Sequence, residues 1–175
     1  GFIDSLSLAG DWVSGPALVL GAGGAARAIV GALLAAGLFD IRVSNRTRAR
    51  AEAVAALANT PENSGVVRVF DWAARVQGAE GATLLVNTTS LGMQGAPALD
   101  MSLDTLAVKA TVADIVYVPL ETDLLARARS QGHMPVNGLG MLVHQAAHAF
   151  DLWFGQLPAF DNVLRDHLHR DLGEA

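Results

Sequence analysis

The sequence predicts an α/β fold: a Rossmann-like, doubly wound parallel sheet of about six strands with helices on both faces. Apolar stretches of strand length alternate with amphipathic stretches of helix length, the pattern of strands joined by helical crossovers. Several strand-length stretches are apolar throughout, as expected for strands covered on both faces. The predicted strands are residues 17–20, 41–45, 66–70, 84–87, 112–116 and 134–136.

Helices are predicted between these strands, at residues 25–36, 49–59, 71–76 and 123–131. Gly37 and Gly132 are predicted C-caps because glycine adopts a positive φ without strain. A lead-in helix is predicted over 2–12, and loops over 61–65 and 95–100. We expect residues 1–155 to form one domain and residues 156–175 a helical extension.

Residues 138–154 carry the strongest helical periodicity, and a last short helix is predicted over 160–172. The predicted buried stripe of the long helix is Leu139, Leu142, Val143, Ala146, Ala149, Phe150 and Trp153.

The composition excludes several functional classes. A chain of 175 residues with 51% hydrophobic and 17% charged residues is expected to fold rather than be disordered. The net charge of −5 argues against a general nucleic-acid binder, and the lack of cysteine excludes disulfides and thiolate chemistry. No apolar run has the length of a membrane span and no signal peptide is visible, so we expect a cytoplasmic protein with no nucleic-acid or membrane partner.

A glycine turn follows the first predicted strand and opens a predicted helix. Gly21, Gly23 and Ala26 fit the pattern G-x-G-x-x-G/A. The first glycine permits the turn, the second lets the backbone approach a pyrophosphate, and the third position packs the helix against the strand. The motif predicts dinucleotide binding, while a glycine-rich turn kept for packing alone remains the alternative.

The end of the second predicted strand indicates which dinucleotide. NAD-binding units usually place a carboxylate there to hold the ribose hydroxyls, but this strand continues as Asn45-Arg46-Thr47-Arg48-Ala49-Arg50. Guanidinium groups bind phosphate through charge-assisted hydrogen bonds, so the segment favours the 2′-phosphate of NADP over NAD. The missing acid also counts against FAD and S-adenosylmethionine. A solvent-exposed basic helix start is the alternative.

With Asn45-Arg46-Thr47-x-x-Arg50 included, the chain resembles the C-terminal, NADP-binding half of shikimate dehydrogenases. Further segments that resemble this family are Gly1-Phe2 with Ser5-Leu6, Asn87-Thr88-Thr89-Ser90-Leu91-Gly92-Met93, Asp114-x-x-Tyr117-x-Pro119-x-x-Thr122, and Gly138-x-x-Met141-Leu142-x-x-Gln145. Together they span nearly the whole chain. Glutamyl-tRNA reductases and methylenetetrahydrofolate dehydrogenases share the cofactor fold but less of these patterns.

The resemblance implies NADP as the cofactor and shikimate or 3-dehydroshikimate as the substrate. It assigns cofactor contacts to Gly21, Ala22, Gly23, Gly24, Ala25, Asn45, Arg46, Thr47, Arg50, Thr88, Ser90, Ile115, Gly138 and Met141. It assigns substrate contacts to Tyr117 and Gln145. The alternatives are an aromatic lid on the core for Tyr117 and an ordinary exposed residue for Gln145.

The resemblance also implies that the catalytic lysine and aspartate belong to an N-terminal domain that precedes Gly1. We therefore expect no catalytic residue in this chain, which would bind cofactor without turnover. The single lysine, Lys109, precedes the fifth predicted strand and so lies at the edge of the sheet opposite the site. A relative that also uses quinate and a non-enzymatic NADP-binding regulatory module are the alternatives, and a homodimer is left open.

Two other constellations are weaker. His144 and His148 lie four residues apart with Asp151 nearby, but no H-E-x-x-H motif accompanies them, so no metal site is expected. The hydroxyl residues at 88–90 lack the pattern of a nucleophile elbow, and a turn that contacts the cofactor is favoured.

Overall fold

A computed structural model describes residues 1–6, 9–159 and 161–173. The elements in chain order are α1 (Phe2–Ser5), β1 (Ala17–Leu20), α2 (Gly24–Ala35), β2 (Ile41–Asn45), α3 (Arg48–Ala58), β3 (Val67–Asp71), α4 (Arg75–Gly78), β4 (Leu84–Asn87), β5 (Thr111–Asp114), α5 (Asp123–Ser130), β6 (Met134–Val136), α6 (Gly138–Phe154) and α7 (Asn162–Gly173). Short 3-10 helices span Pro61–Asn63 and Trp72–Ala74.

The six strands form one sheet in the order β3-β2-β1-β4-β5-β6, and every adjacent pair is parallel. Strands β2 and β3 follow β1 on one side of it, and β4, β5 and β6 follow on the other side. The strand order therefore reverses between β1 and β4, the place where open α/β sheets bind ligands. The predicted fold class is confirmed.

Helices cover both faces of the sheet, so β1 is buried on both. Val19 packs in the core that contains Ile29 of α2 and Val54 of α3. Leu18 packs in the opposite core, which contains Leu124 of α5. This two-sided burial explains why β1 is apolar at all four positions.

Several predicted boundaries were wrong. The lead-in helix predicted over 2–12 ends at Ser5, and Gly10 has a φ of 75°, which cannot continue a right-handed helix. The helix predicted over 71–76 is a 3-10 turn followed by α4. Strand β5 stops at Asp114 rather than Val116, because the Val116 N–H donates to the Asp114 carboxylate instead of extending the ladder. The last helix begins at Asn162, and Phe160 lies outside the described residues.

The buried stripe predicted for α6 is correct only near the start of the helix. Leu139 and Val143 are buried, whereas Phe150 is 41% and Trp153 77% exposed. Ala146 and Phe150 line an apolar groove that α6 shares with α7, whereas Trp153 does not line it. Periodicity identifies an apolar helix face but does not show whether another element covers it. Among the described helices, none is both long enough and apolar enough to cross a membrane.

Candidate functional site

The candidate site lies at the carboxyl edge of the sheet, where neighbouring strands end in register. Leu20 of β1 pairs with Ser44 of β2 and with Asn87 of β4, and Asn87 pairs with Asp114 of β5. The loops that begin after these strands therefore leave the sheet side by side. This arrangement brings the glycine turn, the arginine segment and the loops after β4 and β5 to one edge.

The glycine turn is tight on one side and open on the other. Gly21 has a φ of 109°, and a Cβ there would overlap Thr88 Oγ1. Thr88 is itself fixed by two hydrogen bonds to the Leu20 carbonyl, from its backbone N at 2.8 Å and its Oγ1 at 2.7 Å. At Gly23 and Gly24, an added Cβ would meet no atom within 4 Å. Packing against Thr88 explains why residue 21 is glycine. It does not explain the glycine at position 23, where a side chain would meet no atom.

The N-terminus of α2 directs its backbone toward that open space. Gly23 is the N-cap residue and supplies no side-chain cap. The first-turn N–H groups of a helix have no partner within the helix and carry a partial positive charge. Such a helix start can bind an anion such as a phosphate group.

The three arginines after β2 are not equivalent. Arg48 donates from Nη1 to Asp71 Oδ1 at 2.7 Å and from Nε to Glu52 Oε1 at 2.8 Å. Arg46 and Arg50 are exposed, and neither has a side-chain hydrogen bond or ion pair with any residue in the described part of the chain. Two unpaired cations therefore stand where a carboxylate would bind ribose hydroxyls.

A cleft of about 200 Å³, here called the β1–β4 cleft, joins the glycine turn to this segment. It is lined by Gly21, Ala22, Gly23, Asn45, Arg46, Trp72, Thr88, Thr89, Ser90 and Leu91. The cleft thus unites seven of the expected cofactor contacts. Three others adjoin it in sequence: Gly24 and Ala25 open α2, and Thr47 is the N-cap of α3, with its carbonyl accepting from Asn45 Nδ2 at 2.9 Å.

Trp72 is a wall of the β1–β4 cleft that the sequence did not reveal. The residue follows β3, and the Arg75 guanidinium carbon lies 4.9 Å from the centroid of its ring. No motif marks Trp72, since its place in the cleft depends on the order of strands in the sheet. An aromatic residue at the end of a strand near a proposed nucleotide site was the only available signal.

A second cleft of about 340 Å³, here called the β4–β5 cleft, adjoins the first. It is lined by Thr88, Thr89, Ser90, Met93, Ile115, Val116, Tyr117 and Val118. Thr88 and Ser90 line both clefts, so an extended ligand could occupy the two together. Tyr117 is 43% exposed, so it is not a fully buried lid on the core.

Helix α6 begins against the loop that follows β5. The Gly138 N–H donates to the Val116 carbonyl at 3.1 Å, and a Cβ on Gly138 would overlap the Ile115 carbonyl. Met141 and Gln145 lie farther along the helix, beside Gly1: a Cβ on Gly1 would come within 2.8 Å of Gln145 Cγ and 3.4 Å of the Met141 carbonyl. Neither of these two residues lines the clefts described above.

A buried polar network lies beneath the β4–β5 cleft. Its residues occur in the segments that resemble the family, but the resemblance assigned them no role. It links Asn87, Asp114 and Thr122, which are 0%, 2% and 1% exposed. Burial raises the pKa of the Asp114 carboxyl above its ordinary value, although hydrogen bonds from Val116, Thr122 and Asn87 act in the opposite direction.

The remaining candidates lie away from the clefts or form no site. Lys109, with a φ of 57°, precedes β5 and so lies at the amino edge of the sheet. His148 Nε2 lies 3.8 Å from Asp4 Oδ2. Across residues 1–6, 9–159 and 161–173, no group of three or more acidic or histidine side chains could hold a metal ion.

Comparison with known proteins identifies the family. The family model described as Shikimate / quinate 5-dehydrogenase matches residues 6–80, and the model described as Shikimate 5'-dehydrogenase C-terminal domain matches residues 138–165. The shikimate dehydrogenase (NADP(+)) of Paramagnetospirillum magneticum is 55% identical over 152 residues. The chain belongs to the shikimate dehydrogenase family. That match covers 87% of the chain and 53% of the relative.

The shikimate dehydrogenase (NADP(+)) of Paracoccus denitrificans is 49% identical over 168 residues, which are 94% of the chain and 58% of the relative. The chain therefore spans about half the length of the curated relatives it matches.

Solved structures of shikimate and quinate dehydrogenases share the fold. The quinate dehydrogenase of Corynebacterium glutamicum, in complex with NAD, aligns with a TM-score of 0.86 at 29% identity, over 98% of the chain and 61% of that protein. The shikimate 5-dehydrogenase of Thermus thermophilus, in complex with NADP(H) and shikimate, aligns with a TM-score of 0.80 at 37% identity, over 98% of the chain and 60% of that protein.

Proposed function

We propose that this chain binds NADP(H) across the two clefts and is the cofactor-binding part of an oxidoreductase that interconverts shikimate and 3-dehydroshikimate. The observation that carries the proposal is the unpaired state of Arg46, which lines the same cleft as the open glycine turn, and of Arg50 four residues along the chain. The names of the curated relatives, shikimate dehydrogenase (NADP(+)), support the same cofactor and substrate.

The two clefts suit the two ends of the cofactor. In this assignment the backbone of Gly21–Ala25 holds the pyrophosphate, as a helix N-terminus does. Arg46 and Arg50, with Asn45 and Thr47, hold the 2′-phosphate. Thr88 and Ser90 lie between the clefts, and Ile115 and Gly138, with Met141, lie toward the nicotinamide. Bound NADP(H) would supply or accept the hydride exchanged with a ring carbon that bears a hydroxyl or a ketone.

Tyr117 and Gln145 are the proposed substrate contacts. A phenolic hydroxyl and a side-chain amide both donate and accept hydrogen bonds, as the hydroxyls and carboxylate of a hydroxy acid require. Tyr117 lines the β4–β5 cleft, next to Ile115. Gln145 lies on α6 beside Gly1, outside the β4–β5 cleft. It would contact substrate only if the substrate extends beyond that cleft toward α6.

The cofactor proposal is tested by calorimetric titration of this chain with NADP⁺ and with NAD⁺. Each charge-assisted contact is worth about 1.5–3 kcal/mol, so Arg46→Ala or Arg50→Ala should weaken NADP⁺ binding about ten- to a hundredfold and the double variant by at least about a hundredfold. Binding of NAD⁺ should change little. Arg48→Ala is the matched control, because its guanidinium is already engaged by Asp71 and Glu52.

Equal affinity of the unmodified chain for NADP⁺ and NAD⁺ would show that the arginines do not select the phosphate. An Arg48→Ala effect as large as that of Arg46→Ala would show general electrostatic attraction instead of a defined site.

Turnover by this chain alone is not part of the proposal. The only lysine, Lys109, lies at the amino edge of the sheet, away from both clefts, so the chain offers no lysine for proton transfer there. We expect NADP⁺ binding without shikimate-dependent formation of NADPH, measured by its absorbance. Formation of NADPH at rates ordinary for enzymes, about 1–1000 per second, would contradict this expectation.

A quinate-using enzyme is the second candidate, favoured by the TM-score of 0.86 to a quinate dehydrogenase. Comparing shikimate with quinate as substrates of a longer protein that contains this chain would separate the two. A regulatory module would instead bind NADP(H) and support neither oxidation. A cytoplasmic location and a homodimer are further proposals, to be tested by cell fractionation and by sedimentation.

A further inference from the structure

A buried carboxylate lies directly below the β4–β5 cleft. Asp114 is 2% exposed, and its Oδ1 accepts hydrogen bonds from Asn87 Nδ2 at 3.0 Å and from the Val116 N–H at 3.1 Å. Its Oδ2 accepts from Thr122 Oγ1 at 2.8 Å. Within the described residues no lysine, arginine or histidine donates to it. Burying a carboxylate without a cation is costly, so the group requires an explanation other than ion pairing.

One arm of this network shapes the loop after β4. The Asn87 side chain is hydrogen-bonded to two residues of that loop. Its Nδ2 also donates to the Leu91 carbonyl at 3.0 Å. Its Oδ1 accepts from the Thr89 backbone N–H at 3.0 Å and from Thr89 Oγ1 at 2.7 Å. Thr89 Oγ1 in turn accepts from the Leu91 N–H at 3.1 Å. The three bonds that Asn87 makes to this loop depend on the orientation of its amide, which Asp114 helps to set by accepting from Nδ2.

The other arm fixes both ends of the loop after β5. At its start, Asp114 holds the Val116 N–H, and at its end it holds Thr122, which is the N-cap of α5 and accepts from the Leu125 N–H. Tyr117 lies between these two anchors. Gly92, in the loop after β4, lies next to Thr122 and Asp114: a Cβ on it would lie 3.5 Å from Thr122 Cβ and 3.9 Å from Asp114 Oδ2.

We propose that Asp114 is a positioning residue that locks the loops after β4 and β5 to each other and thereby sets the affinity of the β4–β5 cleft for the nicotinamide half of the cofactor. The two loops supply all residues that line this cleft. The inference rests on the proposed function, because it requires NADP⁺ to occupy both clefts. A structural role alone predicts a loss of stability with no preference between the two halves of the cofactor.

Two ligands separate the clefts experimentally. 2′,5′-ADP carries the adenosine phosphate groups but no nicotinamide, whereas NADP⁺ carries both. The ratio of their dissociation constants, measured by calorimetry on this chain, isolates the contribution of the nicotinamide half. Thr122→Val removes one hydroxyl at nearly constant shape, and Asp114→Ala removes the carboxylate. Asp114→Asn keeps one acceptor oxygen, which can still serve both Asn87 and Val116.

Thr111→Val is the matched control. Thr111 is buried at the other end of the same strand, and its Oγ1 donates to the Ala9 carbonyl. This variant therefore also loses a buried hydrogen bond, but far from either cleft. Melting temperatures of all variants measure the stability effect, and amide hydrogen exchange of Thr89, Leu91 and Val116 in the unliganded chain measures the loops directly.

We expect Thr122→Val and Asp114→Ala to weaken NADP⁺ binding about tenfold while 2′,5′-ADP binding stays within about twofold, and Asp114→Asn to retain most of the NADP⁺ affinity. Exchange should accelerate in both loops together, even for Thr122→Val, whose hydroxyl is hydrogen-bonded, within the described residues, only to Asp114 and to the first turn of α5. Thr111→Val should lower the melting temperature and leave the ratio unchanged.

A parallel loss of both ligands in the variants overturns the proposal, as does an unchanged ratio in Thr122→Val with accelerated exchange in one loop only. Failure of the unmodified chain to bind either ligand is a different result: it overturns the proposed function itself.

Discussion

Arg48 Nη1 donates a hydrogen bond to Asp71 Oδ1 at 2.7 Å, which ties the start of α3 to the end of β3. The pair engages one of three neighbouring arginines and leaves Arg46 and Arg50 available. It also places a carboxylate next to the proposed 2′-phosphate position. The selectivity of the site is therefore a balance between two free cations and one nearby anion.

Asp71→Asn should strengthen NADP⁺ binding. The change removes a negative charge near the phosphate and releases Arg48 toward it. Asp71 and Arg48 are 62% and 50% exposed, so solvent screening limits the gain to a few-fold lower Kd for NADP⁺. Calorimetry with NADP⁺ and NAD⁺ at low salt measures it. Equal gains for both cofactors would show that the phosphate is not near Asp71.

Much of the sheet and the cofactor motif could be predicted because local patterns determine them. Strands β1, β2, β4 and β6 have the predicted bounds, since β1, β4 and β6 are short, largely apolar runs and β2 alternates Ile41 and Val43 with polar residues. The open turn at Gly23 follows from the order of strand, glycines and helix. These features need no knowledge of which strands become neighbours.

The parts that sequence did not reveal depend on contacts between distant segments. Trp72 enters the β1–β4 cleft only because β3 lies beyond β2 in the sheet. Asp114 reaches Asn87 because β4 and β5 pair in register across 27 residues of chain. The prediction that the second half of the α6 stripe is buried was wrong for a related reason. The apolar pattern is a local feature of the sequence, but burial depends on whether another element covers that face.

Trp72 should report binding in the β1–β4 cleft through its fluorescence. The chain has three tryptophans; Trp12 is buried in the core and Trp153 is 77% exposed on α6. NADP⁺ should change the emission because its adenosine half would lie against the Trp72 ring. Trp72→Phe should abolish the change, and Trp153→Phe should preserve it. A signal that survives in Trp72→Phe would place the adenosine elsewhere.

Two aspartates should shift stability with pH in opposite directions. Burial alone would raise the pKa of Asp40, but hydrogen bonds and charges from Arg42 and Arg68 outweigh it and hold this pKa below its ordinary value. Ionised Asp40 therefore stabilises the fold above the unfolded-state pKa of about 3.9, and this contribution is lost as pH falls through the lower folded pKa. Asp40→Asn should be destabilised near neutral pH, with the difference shrinking in acid.

Asp114 has the reverse sign, because burial raises its folded pKa. Its contribution is fully present below the unfolded-state pKa and is lost as pH rises through the folded one. The stability of Asp114→Asn relative to the unmodified chain should therefore increase with pH across that window. Denaturation midpoints of both variants, from about pH 3 to about pH 7, check the two signs. Parallel pH dependences would contradict the assigned environments.

Gly138→Ala should destabilise the chain, whereas Gly31→Ala should stabilise it. A Cβ on Gly138 would overlap the Ile115 carbonyl and push α6 away from the β4–β5 cleft, at a cost of about 1–3 kcal/mol. Gly31 lies inside α2 with no atom within 4 Å of its added Cβ, so alanine should gain about 0.5–1 kcal/mol. Chemical denaturation compares the two. Similar effects would mean that α6 does not dock on Ile115.

Tyr117→Phe and Gln145→Ala should impair substrate use without weakening cofactor binding. Tyr117 is 43% exposed at the β4–β5 cleft, and neither residue lines the β1–β4 cleft that contains the glycine turn and Arg46. Each lost hydrogen bond to substrate should cost about 0.5–1.5 kcal/mol, and more where a buried substrate group is left unpaired. The expected loss in kcat/KM is therefore a few-fold to about a hundredfold.

The measurement uses a longer protein that joins this chain to the part of the Paramagnetospirillum magneticum relative outside the match. For each variant, kcat/KM for shikimate, Kd for NADP⁺ and the melting temperature are determined together. Substitution of a residue that contacts substrate should lower only kcat/KM. Substitution of a packing residue should lower kcat/KM, NADP⁺ affinity and the melting temperature together. Because Gln145 lies beside Gly1 and outside both clefts, an effect confined to Tyr117 would remove Gln145 from the substrate site and leave it as a contact between α6 and α1. A fall in NADP⁺ affinity as steep as the fall in kcat/KM would assign Tyr117 to the nicotinamide end of the cofactor instead.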